Sequence, residues 1–277
     1  MKKSEQFDRN DAALVSIYDD LPLWSAPFGL TLLETVRLRK SICALDIGFG
    51  TGFPLLEIAE RLGESSSVYG IDPWEAAHQR TRLKIEKREI RNVRLFLGVA
   101  EEMPFGDSMF DLMFSNNGLN NVQDLTRALS ESFRVGKPGA QMVATWNLPG
   151  TMGEFYELYE GILRRSGRAD CVEKLKAHIH EKRKPVDFMT RSVKEAGFEI
   201  ENVQERAFEM RFADSRALLD CFLIRLAFLE TWKEVVPADS RNEVFSQVEM
   251  ELDGIADRTG EIRLTIPYAW IDATRKP

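Results

Sequence analysis

The feature that most constrains the fold is an alternation of apolar and amphipathic stretches between residues 42 and 146. Its five apolar runs are ICALDI (42–47), SVYGID (67–72), VRLFLG (93–98), FDLMFS (110–115) and QMVATW (141–146). The first intervening stretch, PLLEIAERLG, carries apolar residues at i, i+3, i+4 and i+7, which is one face of a helix. Strands that alternate with helices predict a doubly wound α/β sheet whose first strands are parallel.

The second half of the chain is patterned less regularly. Helical spacing covers 151–184, 187–198 and 213–236, whereas 199–212 and 261–277 read as strands. We expect these last two strands to pair as a hairpin, with the intervening helices folded outward. The sequence contains neither an internal repeat nor a linker rich in Pro, Gly or Ser.

Charge and hydropathy exclude several classes of partner. The formal net charge is −7, and nucleic-acid binding depends mainly on neutralising phosphates, so we expect no nucleic-acid partner. The basic run KLKAHIHEKRK (174–184) is interpreted as a solvated helix face. The N-terminal segment lacks the apolar centre of a signal peptide, and no apolar stretch reaches membrane-spanning length. These features indicate a cytoplasmic protein without a membrane partner.

The spacing of cysteine and histidine argues against a metal site. Cys43, Cys171 and Cys221 lie far apart and form no CxxC pair, which also disfavours a redox motif or a disulfide framework. His178 and His180 are two positions apart, so on a helix they point to different sides. We therefore expect no metal cofactor.

A glycine loop, LDIGFGTGF (45–53), ends the first predicted strand. Glycine at 48, 50 and 52 allows a tight turn and a close approach of ligand to backbone. A dinucleotide-binding loop needs G-x-G-x-x-G, but Phe53 stands where the third glycine belongs, and no Gly-Lys-Ser/Thr follows as in a phosphate-binding loop. Taken alone, the pattern is equally compatible with a structural turn.

Asp72 adds a second acidic group at the end of the second predicted strand. In a doubly wound fold this position places a carboxylate against ribose hydroxyls. The alternative is that Asp72 caps the following helix, with Pro73 at the first helical position. The glycine loop one strand away favours the ribose role.

Together these motifs resemble the class I S-adenosylmethionine-dependent methyltransferases, of the small-molecule kind related to the quinone-biosynthesis C-methyltransferases. The matching segments are LDIGFGTGF (45–53), VYGID (68–72), GVAEEMPFGDSMFD (98–111), FRVGKPGA (133–140) and the terminal strand with its KP (276–277). The match is close over 42–146 and loose at the end of the chain. It implies a Rossmann-like seven-stranded sheet of order 3-2-1-4-5-7-6 with the last strand antiparallel, and S-adenosylmethionine as cofactor.

The resemblance also implies where the cofactor lies. The glycine loop packs against its methionine part, the first acid helps hold the loop and the amino group, and the second acid takes the ribose hydroxyls. The residues implied to bind it are Asp46, Gly48, Gly50, Gly52, Asp72, Pro73, Trp74, Ala100, Glu101, Ser115 and Asn116.

The adenine contacts depart from the family pattern at one position. Pro73 and Trp74 are implied to cover the adenine, and the segment from Val99 to Glu101 to approach its edge. Related enzymes often have Asp where this chain has Val99, which cannot accept a bond from the adenine amino group. The Ala100 N–H and the Glu101 carboxylate are the remaining candidates, and Glu101 is equally compatible with a solvent-exposed position.

The segment SNNGLNNV (115–122) clusters four asparagines at the end of the fourth predicted strand. The resemblance places Ser115 and Asn116 beside the methionine end of the cofactor, with Asn117 towards the acceptor. Asn120 or Asn121 is expected to cap the helix that follows. Plain turn chemistry, which asparagine favours, is the alternative for the whole cluster.

The acceptor is expected to be a small or medium organic molecule, methylated by in-line substitution at an O, N or C atom. Positioning is the protein's main task in such a reaction, and no residue is identified as a catalytic base. The aromatic lead, 17–29, either lies over the cofactor as a lid or packs on the sheet edge. Candidate pocket residues are Tyr18, Trp24, Asn117, Asn147 and Tyr156.

Two other functions remain compatible with parts of the pattern. A nicotinamide oxidoreductase shares the sheet but requires the missing glycine spacing, whereas a non-catalytic module binding S-adenosylmethionine fits all of it. The apolar helix at 217–236 is expected to be core, with a roof over the pocket or a homodimer face as the alternatives. We expect one domain over 1–277, with a helical lead or lid (1–40), a cofactor-binding core (41–150), helical additions with strand six (151–260) and a closing strand (261–277).

Overall fold

A seven-stranded sheet organises the chain. The structure, a computed structural model, describes residues 11–18, 22–181 and 183–276. Its strands are β1 Cys43–Ile47, β2 Ser67–Asp72, β3 Val93–Leu97, β4 Phe110–Asn116, β5 Gly136–Asn147, β6 Phe198–Phe212 and β7 Ile262–Arg275. The order is β3-β2-β1-β4-β5-β7-β6, with β1 to β5 parallel and β7 antiparallel to β5. This confirms the expected fold class, including the adjacency of the last two strands.

Helices precede the first strand and separate the others, except β3 from β4. They are α1 Ala12–Tyr18, α2 Pro22–Thr35, α3 Leu55–Leu62, α4 Glu75–Lys87, α5 Leu125–Val135, α6 Gly153–Arg165, α7 Ala169–Glu181, α8 Val186–Glu195, α9 Ser215–Leu219, α10 Phe222–Ile224, α11 Glu230–Glu234 and α12 Arg241–Thr259. A π-helical segment, Arg225–Leu229, joins α10 to α11. No helix of the described residues is long and apolar enough to cross a membrane.

The chain divides into two compact units. The core unit comprises the described residues of Asp8–Asn147, Lys184–Arg206 and Tyr268–Pro277, and the helical unit those of Leu148–Arg183 and Ala207–Pro267. Both β6 and β7 contribute residues to each unit. The expectation of a single domain over 1–277 stays a prediction.

Buried apolar faces explain the core unit. The predicted face of α3 is buried, including Leu55, Ile58 and Leu62, and packs in one cluster with apolar residues of β1 and β4. β1 lies between β2 and β4, with Leu45 opposite Tyr69 on one side and Met113 on the other. Because parallel strands end at the same edge, the glycine loop, Asp72 and Asn116 all leave the sheet there.

The helical unit has an aromatic centre of its own. Phe155 of α6 stacks on Trp232 of α11 with ring centroids 3.9 Å apart. The Tyr159 hydroxyl donates to the Trp232 carbonyl at 2.9 Å, and its ring lies 5.7 Å from that of Phe245 in α12. All four side chains are buried, so this part of the apolar 213–236 stretch is core.

One local sequence prediction is wrong, and one alternative that the sequence left open does not occur. The N-cap of α5 is Asp124, whose side chain accepts from the Arg127 N–H at 2.9 Å, so neither Asn120 nor Asn121 caps that helix. Asn121 instead belongs to a short 3₁₀ turn that ends before the helix. Likewise α4 starts at Glu75 with Trp74 as N-cap, so Pro73 is not at the first helical position.

Candidate cofactor-binding site

The glycine loop is a backbone turn fastened to β2. The Gly48 N–H donates to the Ile71 carbonyl at 2.9 Å, and the Gly52 N–H to the Phe49 carbonyl at 2.9 Å. The φ angles of Gly48, Gly50 and Gly52 are 86°, 51° and 102°, a region that side chains disfavour. A Cβ at Gly50 would meet open space, so the backbone there is accessible to a ligand.

Asp72 ties this loop to the start of α4. One carboxylate oxygen accepts from the Gly50 N–H and the other from the Trp74 N–H, both at 2.8 Å. The side chain is buried, and this burial raises the pKa of Asp72, although the two N–H donors oppose the shift. The carboxylate therefore fixes the loop and carries negative charge at the carboxyl end of β2.

Asp46 is a buried acid without a hydrogen-bond partner. The residue is inaccessible to solvent, and neither carboxylate oxygen has a partner. Burial, and secondarily the charge of Asp72, raise the pKa of Asp46 well above its usual range. The Leu55 N–H opposes this shift without reaching hydrogen-bond geometry. A buried carboxyl group without a partner is costly, and a cationic ligand group would relieve that cost.

Gly118, within the asparagine cluster, lies directly against the glycine loop. A Cβ on Gly118 would sit 2.3 Å from the Ile47 carbonyl oxygen, and one on Gly48 would sit 2.9 Å from the Gly118 Cα. Ser115 joins the same two segments, because its hydroxyl donates to the Ile47 carbonyl at 2.7 Å and accepts from the Leu119 N–H at 3.1 Å. Ser115 thus holds the loop in place, a role that sequence spacing did not reveal.

Asn116 connects the end of β4 to the lead helix α2. Its amide nitrogen donates to the Ser25 carbonyl at 3.1 Å, and its amide oxygen accepts from the Thr145 hydroxyl at 3.0 Å. Gly29 of α2 approaches the same place, since a Cβ there would lie 2.2 Å from the Phe53 ring and 3.2 Å from the Asn116 amide nitrogen. Helix α2 therefore lies over the carboxyl end of β4 and the end of the glycine loop.

Four further asparagines, three of them from the same cluster, form a network beside Asn116. Asn117 has a φ of 62°, and its N–H donates to the Thr145 carbonyl at 3.1 Å. The Asn120 amide nitrogen donates to the side-chain oxygens of Asn117 and Asn147. The Asn121 amide nitrogen donates to the Asn117 carbonyl at 3.2 Å. The candidate pocket residues Asn117 and Asn147 are thus brought together.

The segment expected at the adenine is partly engaged elsewhere. One Glu101 carboxylate oxygen accepts from the backbone N–H groups of Gln123 at 2.7 Å and Asp124 at 3.1 Å, which orders the approach to α5. Ala100 is buried, whereas Val99 is 44% exposed and so lies at the surface. The proposed role of Glu101 at the adenine stays a prediction.

The remaining predicted residues fall into different environments. The half-buried Trp24 packs against Phe28, with ring centroids 5.8 Å apart, whereas the side chain of Tyr18 lies outside the described residues. Pro73 is exposed and Trp74 half-buried. Tyr156 is buried within the helical unit.

Sequence reasoning missed two residues of α4 that donate hydrogen bonds to the backbone of the glycine loop. The Thr81 hydroxyl donates to the Gly50 carbonyl at 3.1 Å, and the Lys84 ammonium donates to the Thr51 carbonyl at 2.7 Å. Their spacing of three residues on α4, with Thr81 on the buried face that also holds Ala76, Ala77 and His78, was the available signal. Among the described residues, no group of three His, Cys, Asp or Glu side chains is placed to hold a metal ion.

Comparison with known proteins relates part of this chain to methyltransferases. Residues 45–144 match the family described as a methyltransferase domain. The chain is 35% identical over 127 residues to a demethylmenaquinone methyltransferase of Geobacillus sp. (strain WCH70). The aligned region covers 46% of this chain and 54% of that protein. The chain thus spans about half the length of the curated relatives it matches.

Two solved structures share the fold at low identity. The YcgJ protein of Bacillus subtilis superposes with a TM-score of 0.60 at 16% identity, covering 91% of this chain and 99% of that one. The [4+2]-cyclase SpnF gives 0.55 at 19% identity, covering 90% and 80%. Such likenesses define the fold alone. The family match over residues 45–144 and this shared fold agree with the resemblance to class I S-adenosylmethionine-dependent methyltransferases.

Proposed function

We propose that this protein binds S-adenosylmethionine at the glycine loop and transfers its methyl group to a small or medium organic acceptor. The observation that carries the proposal is Asp46, a buried carboxyl group without a partner beside a glycine loop of open backbone. A cofactor with a cationic amino group matches such a carboxylate. If the loop were only a structural turn, nothing would offset the cost of burying this acid.

The residues present fit this cofactor. Asp46 would hold its amino group, Gly50 would let it approach the backbone, and Asp72 has lone pairs left on both oxygens for the ribose hydroxyls. The exposed region around Val99 would border the adenine. When bound, S-adenosylmethionine supplies a methyl group that is already activated by its positive sulfur.

The chain's own task is then to position the acceptor and exclude water. Helix α2, anchored by Asn116, supports the lid alternative for the lead segment, because it lies over the edge where the cofactor would bind. No catalytic base is assigned. Asp124 caps α5, and the Glu154 carboxylate accepts from the Thr265 N–H at 3.0 Å, so both acids have structural roles.

A panel of acceptors tests the proposal. Purified protein is incubated with S-adenosylmethionine and candidate acceptors, including demethylmenaquinone because of the relatives' names, and S-adenosylhomocysteine release is measured by mass spectrometry. Release that depends on an acceptor supports methyl transfer. Binding of the cofactor without release for any acceptor class would favour the non-catalytic module. Cytoplasmic location and a homodimer stay predictions from the sequence.

A further inference from the structure

A buried guanidinium that forms no ion pair with any described side chain lies in the helical unit. Arg183 follows α7 and is 5% exposed, so this residue departs from the interpretation of 174–184 as a solvated helix face, whereas Lys174 is exposed. Its Nη2 donates to the Tyr156 hydroxyl oxygen at 3.0 Å, and its Cζ lies 4.8 Å from the Tyr156 ring centroid. Its Nη1 is buried and has no hydrogen-bond partner. No carboxylate among the described side chains forms an ion pair with it.

The Tyr156 hydroxyl has a second unmet requirement. Its oxygen accepts from Arg183 and also from the Trp232 indole N–H at 2.9 Å, which occupies both lone pairs. Its own proton is therefore available to donate, and no described residue accepts it. The Arg183 Nη1 and the Tyr156 O–H thus present unpaired donors from two neighbouring side chains.

Such an arrangement is unfavourable unless an anion completes it. A buried cation without a negative partner loses hydration without Coulombic compensation, and buried donors are normally satisfied. A guanidinium donates through a planar fork that matches the two oxygens of a carboxylate or phosphate. The neighbouring rings of Trp232, Phe155 and His178 add apolar, aromatic surroundings.

We propose that Arg183 and Tyr156 form a binding site for the oxyanion of a small organic acid, a carboxylate or a phosphate attached to an apolar or aromatic body. Arg183 neutralises the oxyanion through Nη1, and the Tyr156 hydroxyl donates a second hydrogen bond. The proposal concerns binding, and it holds whether or not the bound acid is a methyl acceptor.

Three probes of similar shape test the site on the full chain: benzoate, phenyl phosphate and neutral benzamide. We expect benzoate or phenyl phosphate at millimolar concentration to raise the melting temperature and to give a calorimetric isotherm, with no effect of benzamide. The acid that binds more tightly identifies which oxyanion the site takes. Equal behaviour of all three probes overturns the proposal.

Substitution separates this role from a structural one. In Arg183→Met, binding of the preferred acid is expected to fall about 10- to 100-fold, as for the loss of a charge-assisted fork. The ligand-free melting temperature stays unchanged or rises, because an uncompensated buried charge has been removed. Arg164→Met, at an exposed arginine paired with Glu160 on α6, is the matched control and leaves binding unchanged.

Two results of the substitution contradict the proposal. If Arg183→Met binds the acid as the parent protein does, the oxyanion does not reach Arg183. If it instead lowers the ligand-free melting temperature clearly, the bond to Tyr156 serves the fold and the site is structural.

Discussion

Replacing Gly118 with alanine tests how the asparagine cluster supports the glycine loop. The added Cβ would lie 2.3 Å from the Ile47 carbonyl oxygen, 2.8 Å from the Ser115 hydroxyl and 3.1 Å from the Gly48 Cα. The nearest of these atoms belongs to the backbone, so about 1 Å of separation must open between the cluster and the loop, and such overpacking costs about 1–3 kcal/mol. At about 2–4 °C per kcal/mol for a chain of this size, we expect a measurable fall in melting temperature.

The displaced loop should also bind the cofactor less well. Gly48 and the Ile47 carbonyl lie in the loop that the cofactor approaches. Because a displacement of about 1 Å in a binding site weakens function steeply, we expect the dissociation constant of S-adenosylhomocysteine to rise about tenfold or more. Thermal unfolding and calorimetric titration measure the two effects. Gly106→Ala is the matched control, because its Cβ meets open space at a negative φ, and it should change stability by less than about 0.5 kcal/mol. If Gly118→Ala melts and binds like Gly106→Ala, the close contact does not position the loop.

Three further perturbations probe the same site. Asp46→Asn should stabilise the ligand-free protein yet weaken cofactor binding. Because the folded-state pKa of Asp46 lies above 3.8, the unfolding free energy of the parent protein should fall as pH rises from 3.8 towards that pKa. Urea titrations should show a smaller fall of the unfolding free energy in the variant. Asp72→Ala should loosen the loop and reduce S-adenosylhomocysteine affinity markedly, and unchanged calorimetric affinity would remove its ribose role. Asn116→Ala should destabilise the fold by about 1–3 kcal/mol, because the Ser25 carbonyl and the Thr145 hydroxyl lose their partner. The same variant should be cleaved faster within α2 by a protease. Unaltered cleavage would show that Asn116 does not anchor that helix.

Features that depend on local periodicity were predictable from the sequence. The apolar runs predict the strands, and the helical spacing of apolar residues predicts α3. The predicted parallel strands in turn place Asp46 and Asp72 at the same edge of the sheet. Partners distant in sequence were not predictable. Nothing local indicates that Gly118 abuts Gly48, and the amide of Asn116 gives no sign of its bond to Ser25.

Two errors have the same physical origin. Asparagine is a frequent helix cap, but Asp124 lies closer to the first turn of α5 and takes that role, while Asn120 and Asn121 bond within their own cluster. A basic run is usually solvated, but Arg183 falls beyond the end of α7, where the chain turns its side chain against Tyr156. In both cases tertiary contacts override a local preference.

Calorimetric titration with S-adenosylhomocysteine and, separately, with NAD decides which cofactor the glycine loop binds. We expect micromolar binding of S-adenosylhomocysteine that Asp46→Asn weakens, and no binding of NAD, because the loop lacks the third glycine of a dinucleotide site. Clear binding of NAD without binding of S-adenosylhomocysteine would contradict this expectation.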